Sequence, residues 1–240
     1  MPKTHRKPSD SLEEQLRYLK LPAVLRHFDE LAKQAAREEW SHVQYLTRLI
    51  DCEASSRRER ATLRRIRQAR FPVIKTFEQF DFTWPSKINR MKVKDLFRLR
   101  FIEENANVLL IGGVGLGKTH LAIALGHAAC LAGYRVLFTT AINIVNHLSV
   151  AQKTGRLALD IKRYLKPDLL VMDELGYLPI DKHGADLLFQ IVSERYERGA
   201  LVLTANKVFK QWPSIFNNDA TLTSALLDRL LHHAETVVIE

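Results

Sequence analysis

The stretch VLLIGGVGLGKTHLAIALGHAA, residues 108–129, constrains this chain more than any other. Its first four residues read as a buried strand, and after Lys118 an apolar pattern long enough for a helix begins. Between them Gly112, Gly113, Gly115 and Gly117 allow a turn that bulkier residues would block. Such a loop turns its amides inward, and the helix behind it adds its dipole, so the two form a cradle for phosphates. Gly112, Gly117, Lys118 and Thr119 match the spacing G-x-x-x-x-G-K-[ST]. The nucleotide-binding run is therefore expected to be Gly112, Gly113, Val114, Gly115, Leu116, Gly117, Lys118, Thr119 and His120. Lys118 would reach the β and γ phosphates, and Thr119 would ligate Mg2+. An accidental glycine-rich turn is the alternative, and the strand and helix flanking the loop argue against it.

Four further apolar runs, Val136–Thr139, Leu169–Met172, Leu201–Thr204 and Val237–Ile239, alternate with helical stretches. That alternation implies an α/β domain: a five-stranded parallel sheet with helices on both faces. The run LLVMDELGY ends in Asp173 and Glu174. An acidic pair at a strand tip suits phosphoryl chemistry: Asp173 would hold Mg2+ through its water shell, and Glu174 would polarise a water for attack on ATP. A charge cluster at a helix start is the other reading. The strand ALVLTANK places Thr204 and Asn206 at its C-terminal end, the edge where parallel sheets bind ligands. Asn206 would touch the γ-phosphate or the attacking water, or else serve as a cap or turn residue.

Residues 1–72 carry helical periodicity and no strand signal. Leu12, Leu16 and Leu19 share one face, and Val24, Phe28, Leu31 and Ala35 share another after Pro22. Ser41 and Gln44 form a capping box, and Val43, Leu46 and Ile50 open the next apolar stripe, which must break near Phe71–Pro72. Residues 73–105 read as a linker, and residues 106–240 as the α/β domain. Of the formal charge of +9, residues 1–75 hold 17 lysines and arginines against 10 acids, which points to a polyanionic partner. Cys52 and Cys130 lack metal-ligand neighbours and read as core-filling thiols of a reducing compartment. The apolar runs are too short to span a bilayer, and MPKTHRKPSD lacks the apolar region of a secretory signal, so a cytoplasmic protein is expected.

Within RRERATLRRIRQAR, residues 57–70, Arg57, Arg58, Arg60, Arg64, Arg65 and Arg67 fall on about half of a helix's circumference, opposite Leu63, Ile66 and Ala69. The helix reads as a phosphate-led DNA contact with little base selectivity, or as solvated charge. His232 and His233 are adjacent, so on a helix they point about 100° apart, and no zinc site is expected from them.

Taken together, GGVGLGKTHLAIAL, LLVMDELGYLP, LVLTANK, QWPSIF and ALLDRLLHHAE resemble the IstB-like transposition helper ATPases, relatives of the DnaC-like helicase loaders. RQARFP followed by KTFEQFDF fits the same pattern. The resemblance implies an AAA+ P-loop fold behind a small all-α N-terminal domain, with ATP held between the subunits of a ring or spiral homo-oligomer. It implies that Lys118, Glu174 and Asn206 are catalytic, Asn206 as the γ-phosphate sensor. Arg229 becomes the finger inserted into the neighbour's site, although an ion pair with Asp228 or another nearby acid would equally explain it. The segment SVAQKTGRLALDIKRYLK would face a central DNA path, with Lys153, Arg156, Lys162 and Arg163 as contacts. The chain stops at TVVIE, so the family's C-terminal helical lid is expected to be absent. The function implied is an ATPase that oligomerises on duplex DNA, remodels it and recruits or activates a transposase. A DnaC-like replicative helicase loader is the near alternative, and a small-molecule kinase the distant one.

Overall fold

In a computed structural model, residues 8–85 and 87–240 are described, and they fall into two compact units that divide between Leu63 and Arg64. The first unit holds α1 (Pro8–Tyr18), α2 (Pro22–Arg37) and most of α3 (His42–Ala69). Ser41 and Gln44 close the expected capping box at the start of α3: the Ser41 N–H donates to Gln44 Oε1 at 2.8 Å and the Gln44 N–H to Ser41 Oγ at 3.2 Å. The core is small, with Leu16, Val24 and Leu49 buried and Phe28, Leu31 and Tyr45 packed around them. Val43, Leu46 and Ile50, expected to form the buried stripe of α3, are instead exposed. The inward face runs one or two positions away, through Tyr45, Leu49 and Glu53 at four-residue intervals.

Glu53 explains that choice of face. Helix α2 begins at Pro22 after Leu21, which offers no capping side chain. The buried Glu53 carboxylate takes that role from α3, accepting the Ala23 N–H at 2.8 Å and the Val24 N–H at 3.4 Å. Arg57 and Arg60 donate to its other oxygen at 2.9 and 3.2 Å. Burial pushes its pKa up, but the Arg57 hydrogen bond and the two backbone N–H groups outweigh that and hold it below the usual carboxylate value.

The second unit begins inside α3, and residues 73–105 are part of it rather than a linker. They carry α4 (Arg90–Leu96) and α5 (Arg100–Glu103), whose Val93, Leu96, Phe101 and Ile102 are buried. Phe80 joins them under the sheet. The strands β1 (Asn107–Gly112), β2 (Val136–Thr140), β3 (Leu169–Leu175), β4 (Ala200–Ala205) and β5 (Ala234–Ile239) form one parallel sheet in the order β2-β3-β4-β1-β5. Because side chains alternate along a strand, Val108 and Leu110 of β1 pack on α6 (Lys118–Ala132), while Leu109 and Ile111 face α7 (Ala141–Lys153), α10 (Lys182–Arg195) and α11 (Ala220–Leu231). Two short helices, α8 (Leu157–Asp160) and α9 (Lys162–Leu165), lead into β3. The buried Arg195 donates to the carbonyls of Tyr164, Pro167, Asp168 and Ala200, joining the starts of β3 and β4, and burial lowers its pKa to about 10 despite nearby Asp168. No described helix is long and apolar enough to cross a membrane.

Replacing Glu53 with Ala removes the cap of α2 and should destabilise the N-terminal unit by about 1–3 kcal/mol in urea denaturation. Because the folded pKa of Glu53 is depressed, its contribution is present above the unfolded value. It is lost as the pH falls through the folded one, so the wild type and Glu53→Ala should converge in stability under acid.

Candidate functional site

At the C-terminal edge of the sheet the loop after β1 runs into α6. Gly115 and Gly117 take left-handed backbone angles, φ 79° and 81°, which glycine adopts without strain. Gly112 is required for a different reason: a Cβ there would collide with the Ile239 carbonyl of β5. Helix α6 starts at Lys118, and its first intrahelical acceptor, Gly117 O, serves Leu121. The N–H groups of Lys118, Thr119 and His120 therefore point out of the helix start as anion donors. His120 contributes through its backbone alone, since its imidazole lies 3.0 Å from Thr76 O and edge-on to Phe80. Lys118 is only 5 % exposed and donates to Gly113 O at 2.5 Å. Burial pulls its pKa down, and Asp173 partly restores it. An entering phosphate would stabilise its charged form further.

The strand order decides what faces this loop. β4 lies between β1 and β3, so the hydroxyl of Thr204 is set beside the acidic pair. Thr204 Oγ1 donates to Asp173 Oδ1 at 2.5 Å and accepts the Glu174 N–H at 2.9 Å. Thr119 Oγ1 donates to the same Asp173 oxygen at 3.0 Å, so the two expected metal ligands already meet. The register slips between Met172 and Leu175, and within that irregularity Glu174 has φ 63°, a costly conformation for a side-chain-bearing residue. The slip releases the Glu174 N–H from the ladder to Thr204 and leaves its carboxylate exposed. Glu174, Asp173, Thr119, Thr139, Asn143 and Arg163 border an open cavity of about 640 Å³.

Asn206 follows β4 at the same edge. Its Oδ1 is buried with no hydrogen-bond partner among the described residues, packed against Gly176, where a Cβ would come within 2.7 Å of it. Thr204 was placed at this edge by the sequence but given no role. A lone polar residue at the end of an otherwise apolar strand was the available signal. Arg229 is not brought to this site. It lies in the last turn of α11, half-buried, donating to Ala225 O at 3.0 Å with its guanidinium 4.8 Å over the Phe189 ring. Among the described residues it has no ion pair, so the expected alternative with Asp228 is not what holds it.

The basic residues separate into two groups. Arg57 and Arg60 are committed to Glu53, and Arg65 donates to Cys130 O at 3.0 Å. Arg65 sits at the edge of the basic arc nearest the buried Ala69, which is why it turns inward, whereas Leu63, expected on the apolar side, is 56 % exposed. Arg58, Arg64, Arg67, Lys153, Lys162 and Arg163 are exposed, as is Arg156, which pairs with Asp160. Cys130 is fully buried, and burial raises its thiol to about 11 against the pull of Arg65.

The family described as "IstB-like ATP binding protein" matches residues 14–240. The chain belongs to that family. An ATP-binding protein of insertion sequence IS21 from Pseudomonas aeruginosa is 41% identical over 229 residues, covering 95% of this chain and 86% of that protein. The corresponding protein of IS5376 from Geobacillus stearothermophilus is 36% identical over 225 residues, covering 94% and 89%. Among solved structures, the replication initiator DnaA bound to AMPPCP and single-stranded DNA matches 69% of this chain and 49% of its own length, with TM-score 0.56 and 25% identity. The DnaC helicase loader matches 62% of this chain and 87% of its own, with TM-score 0.53 and 21% identity. This IstB-like chain thus has the AAA+ P-loop fold, and the glycine loop and α6 start described above form an ATP-binding cradle of the type its family is named for.

Replacing Thr204 with Val keeps the shape of the side chain but strands the Glu174 N–H and removes a donor from Asp173. It should cost about 1–3 kcal/mol of stability in urea denaturation, and Thr204→Ser should recover most of the loss.

Proposed function

We propose that this IstB-like protein is a DNA-dependent ATPase that assists transposition. It assembles as a ring or spiral homo-oligomer on duplex DNA, remodels it and recruits or activates a transposase, and ATP hydrolysis resets the assembly in the cytoplasm. The observation that carries the hydrolytic part is the Thr204 bridge, which holds Asp173 and Glu174 in separate roles at one sheet edge. The naming of the relatives after insertion sequences supports the biological setting.

In this reading Lys118 and the first-turn N–H groups of α6 bind the β and γ phosphates. Thr119 and Asp173 would hold Mg2+, which supplies charge neutralisation when bound; the 3.0 Å contact between their oxygens supports this reading. The exposed Glu174 carboxylate orients an attacking water and takes its proton, and the Asn206 amide senses the γ-phosphate or the attacking water from the same edge. Hydrolysis of this kind is completed by a cation that reaches the γ-phosphate from a neighbouring subunit. Arg229, which has no ion pair among the described residues, supplies that cation to the neighbouring subunit. An arginine of this kind contributes roughly 10³–10⁵ in rate, enough to make hydrolysis conditional on assembly. On DNA, the exposed Arg58, Arg64 and Arg67 of α3 and Lys153, Arg156, Lys162 and Arg163 contact phosphates.

Arg229→Ala should bind ATP like the wild type but lose duplex-stimulated phosphate release, and mixing it with Lys118→Ala subunits should restore part of the activity. No recovery on mixing would show that Arg229 does not act in trans. For DNA, changing Arg58, Arg64 and Arg67 together to Ala should flatten the log–log salt dependence of duplex binding by about 3 units. An unchanged slope would place the phosphate contacts elsewhere.

A further inference from the structure

Away from the nucleotide site, helix α11 ends at Leu231, and the chain turns through His232 and His233 into β5. The angular separation expected of neighbours on a helix therefore does not apply: the two imidazole centroids lie 4.2 Å apart. Both rings approach Glu197, in the turn between α10 and β4. Its Oε1 is 4.0 Å from His232 Nδ1 and 3.6 Å from His233 Nε2, and one ligand atom from each of the three residues lies within 4.8 Å of the others. For metal–ligand bonds of about 2.0–2.1 Å in a tetrahedron, ligand atoms stand about 3.3 Å apart, so small side-chain rotations close this triangle. These residues come from two turns far apart in sequence, and their convergence is a tertiary event.

The framework beneath them is held in place. The His233 carbonyl accepts the Asn107 N–H at 2.7 Å, and Asn107 Nδ2 donates to Leu230 O at 3.0 Å, so the end of α11 is fastened to the start of β1. Glu197 has φ 58°, which sets the direction of its side chain in the Tyr196–Gly199 turn. Two imidazoles and one carboxylate suit Zn2+ better than Mg2+ or Ca2+, which prefer oxygen alone. His233 and Glu197 also border a water-accessible cavity of about 750 Å³, which leaves space for a water as fourth ligand; Asp95, Glu104, Glu235 and Arg100 line it too, with Glu235 paired to Lys92 and Asp95 to Arg98.

We propose that Glu197, His232 and His233 form a zinc-binding site that clips the α11–β5 turn to the α10–β4 turn. The Tyr196 hydroxyl, 2.6 Å from His232 Nδ1, competes for that nitrogen and yields it on binding. The clip sits at the C-terminal end of α11, the helix whose last turn carries Arg229.

Titration of the whole protein with zinc chloride, without nucleotide and against a chromophoric chelator, should reveal one site of micromolar or tighter affinity. Co2+ in its place should show the intense visible bands of tetrahedral coordination. Glu197→Gln and His233→Ala, both on exposed side chains, should each weaken zinc binding at least about tenfold. Tyr196→Phe should bind as tightly as the wild type or more tightly, and Cys52→Ser should change nothing. The absence of a micromolar site, or equal affinity in the wild type and the Glu197→Gln, His233→Ala double variant, would overturn the proposal. Because the readout is direct zinc binding, neither result depends on ATP hydrolysis.

Discussion

Thr204 Oγ1 sits between Asp173 Oδ1 and the Glu174 N–H, and both bonds are possible only because β4 is inserted between β1 and β3. That insertion brings the glycine loop from one strand and the acidic pair from another across a single intervening strand. The register slip in β3 then separates the acidic pair, leaving Asp173 buried beside Lys118 and Thr119 and Glu174 exposed. In a β ladder without the slip, the Glu174 N–H would be expected to pair along the ladder rather than reach the Thr204 hydroxyl.

The same economy of contacts governs the N-terminal helices. The carboxylate of Glu53 caps α2 across the helix pair and gathers two arginines that would otherwise repel one another and their neighbours. The basic stripe of α3 is thereby divided into residues that build the fold and residues left facing solvent. Net charge alone does not reveal that division, because it depends on which guanidinium lies within reach of an acceptor in three dimensions.

Much of this was legible in the chain. The five strands, the capping box at Ser41 and Gln44, and the α3 break before Pro72 all follow from short-range rules of side-chain period and backbone freedom, and the structure follows those rules. The failures share a cause. Val43, Leu46 and Ile50 have the right spacing for a buried face, yet the Tyr45–Leu49–Glu53 face won because it satisfies the bare start of α2. Residues 73–105 look like a linker because their apolar residues come in short aromatic and aliphatic groups, but α6 and the sheet provide a surface that buries them.

The sequence by itself determined the phosphate cradle, since glycines, lysine, threonine and the following helix lie within one local stretch whose geometry the backbone dictates. It also determined that a parallel α/β sheet would form. Only the tertiary structure decided the strand order, and with it the role of Thr204, the unpartnered Asn206 oxygen and the convergence of Glu197 on His232 and His233. The physical reason is that hydrogen bonds and ligand triangles have ranges of a few ångströms. Residues tens of positions apart meet at that distance only after packing has chosen which strands are neighbours.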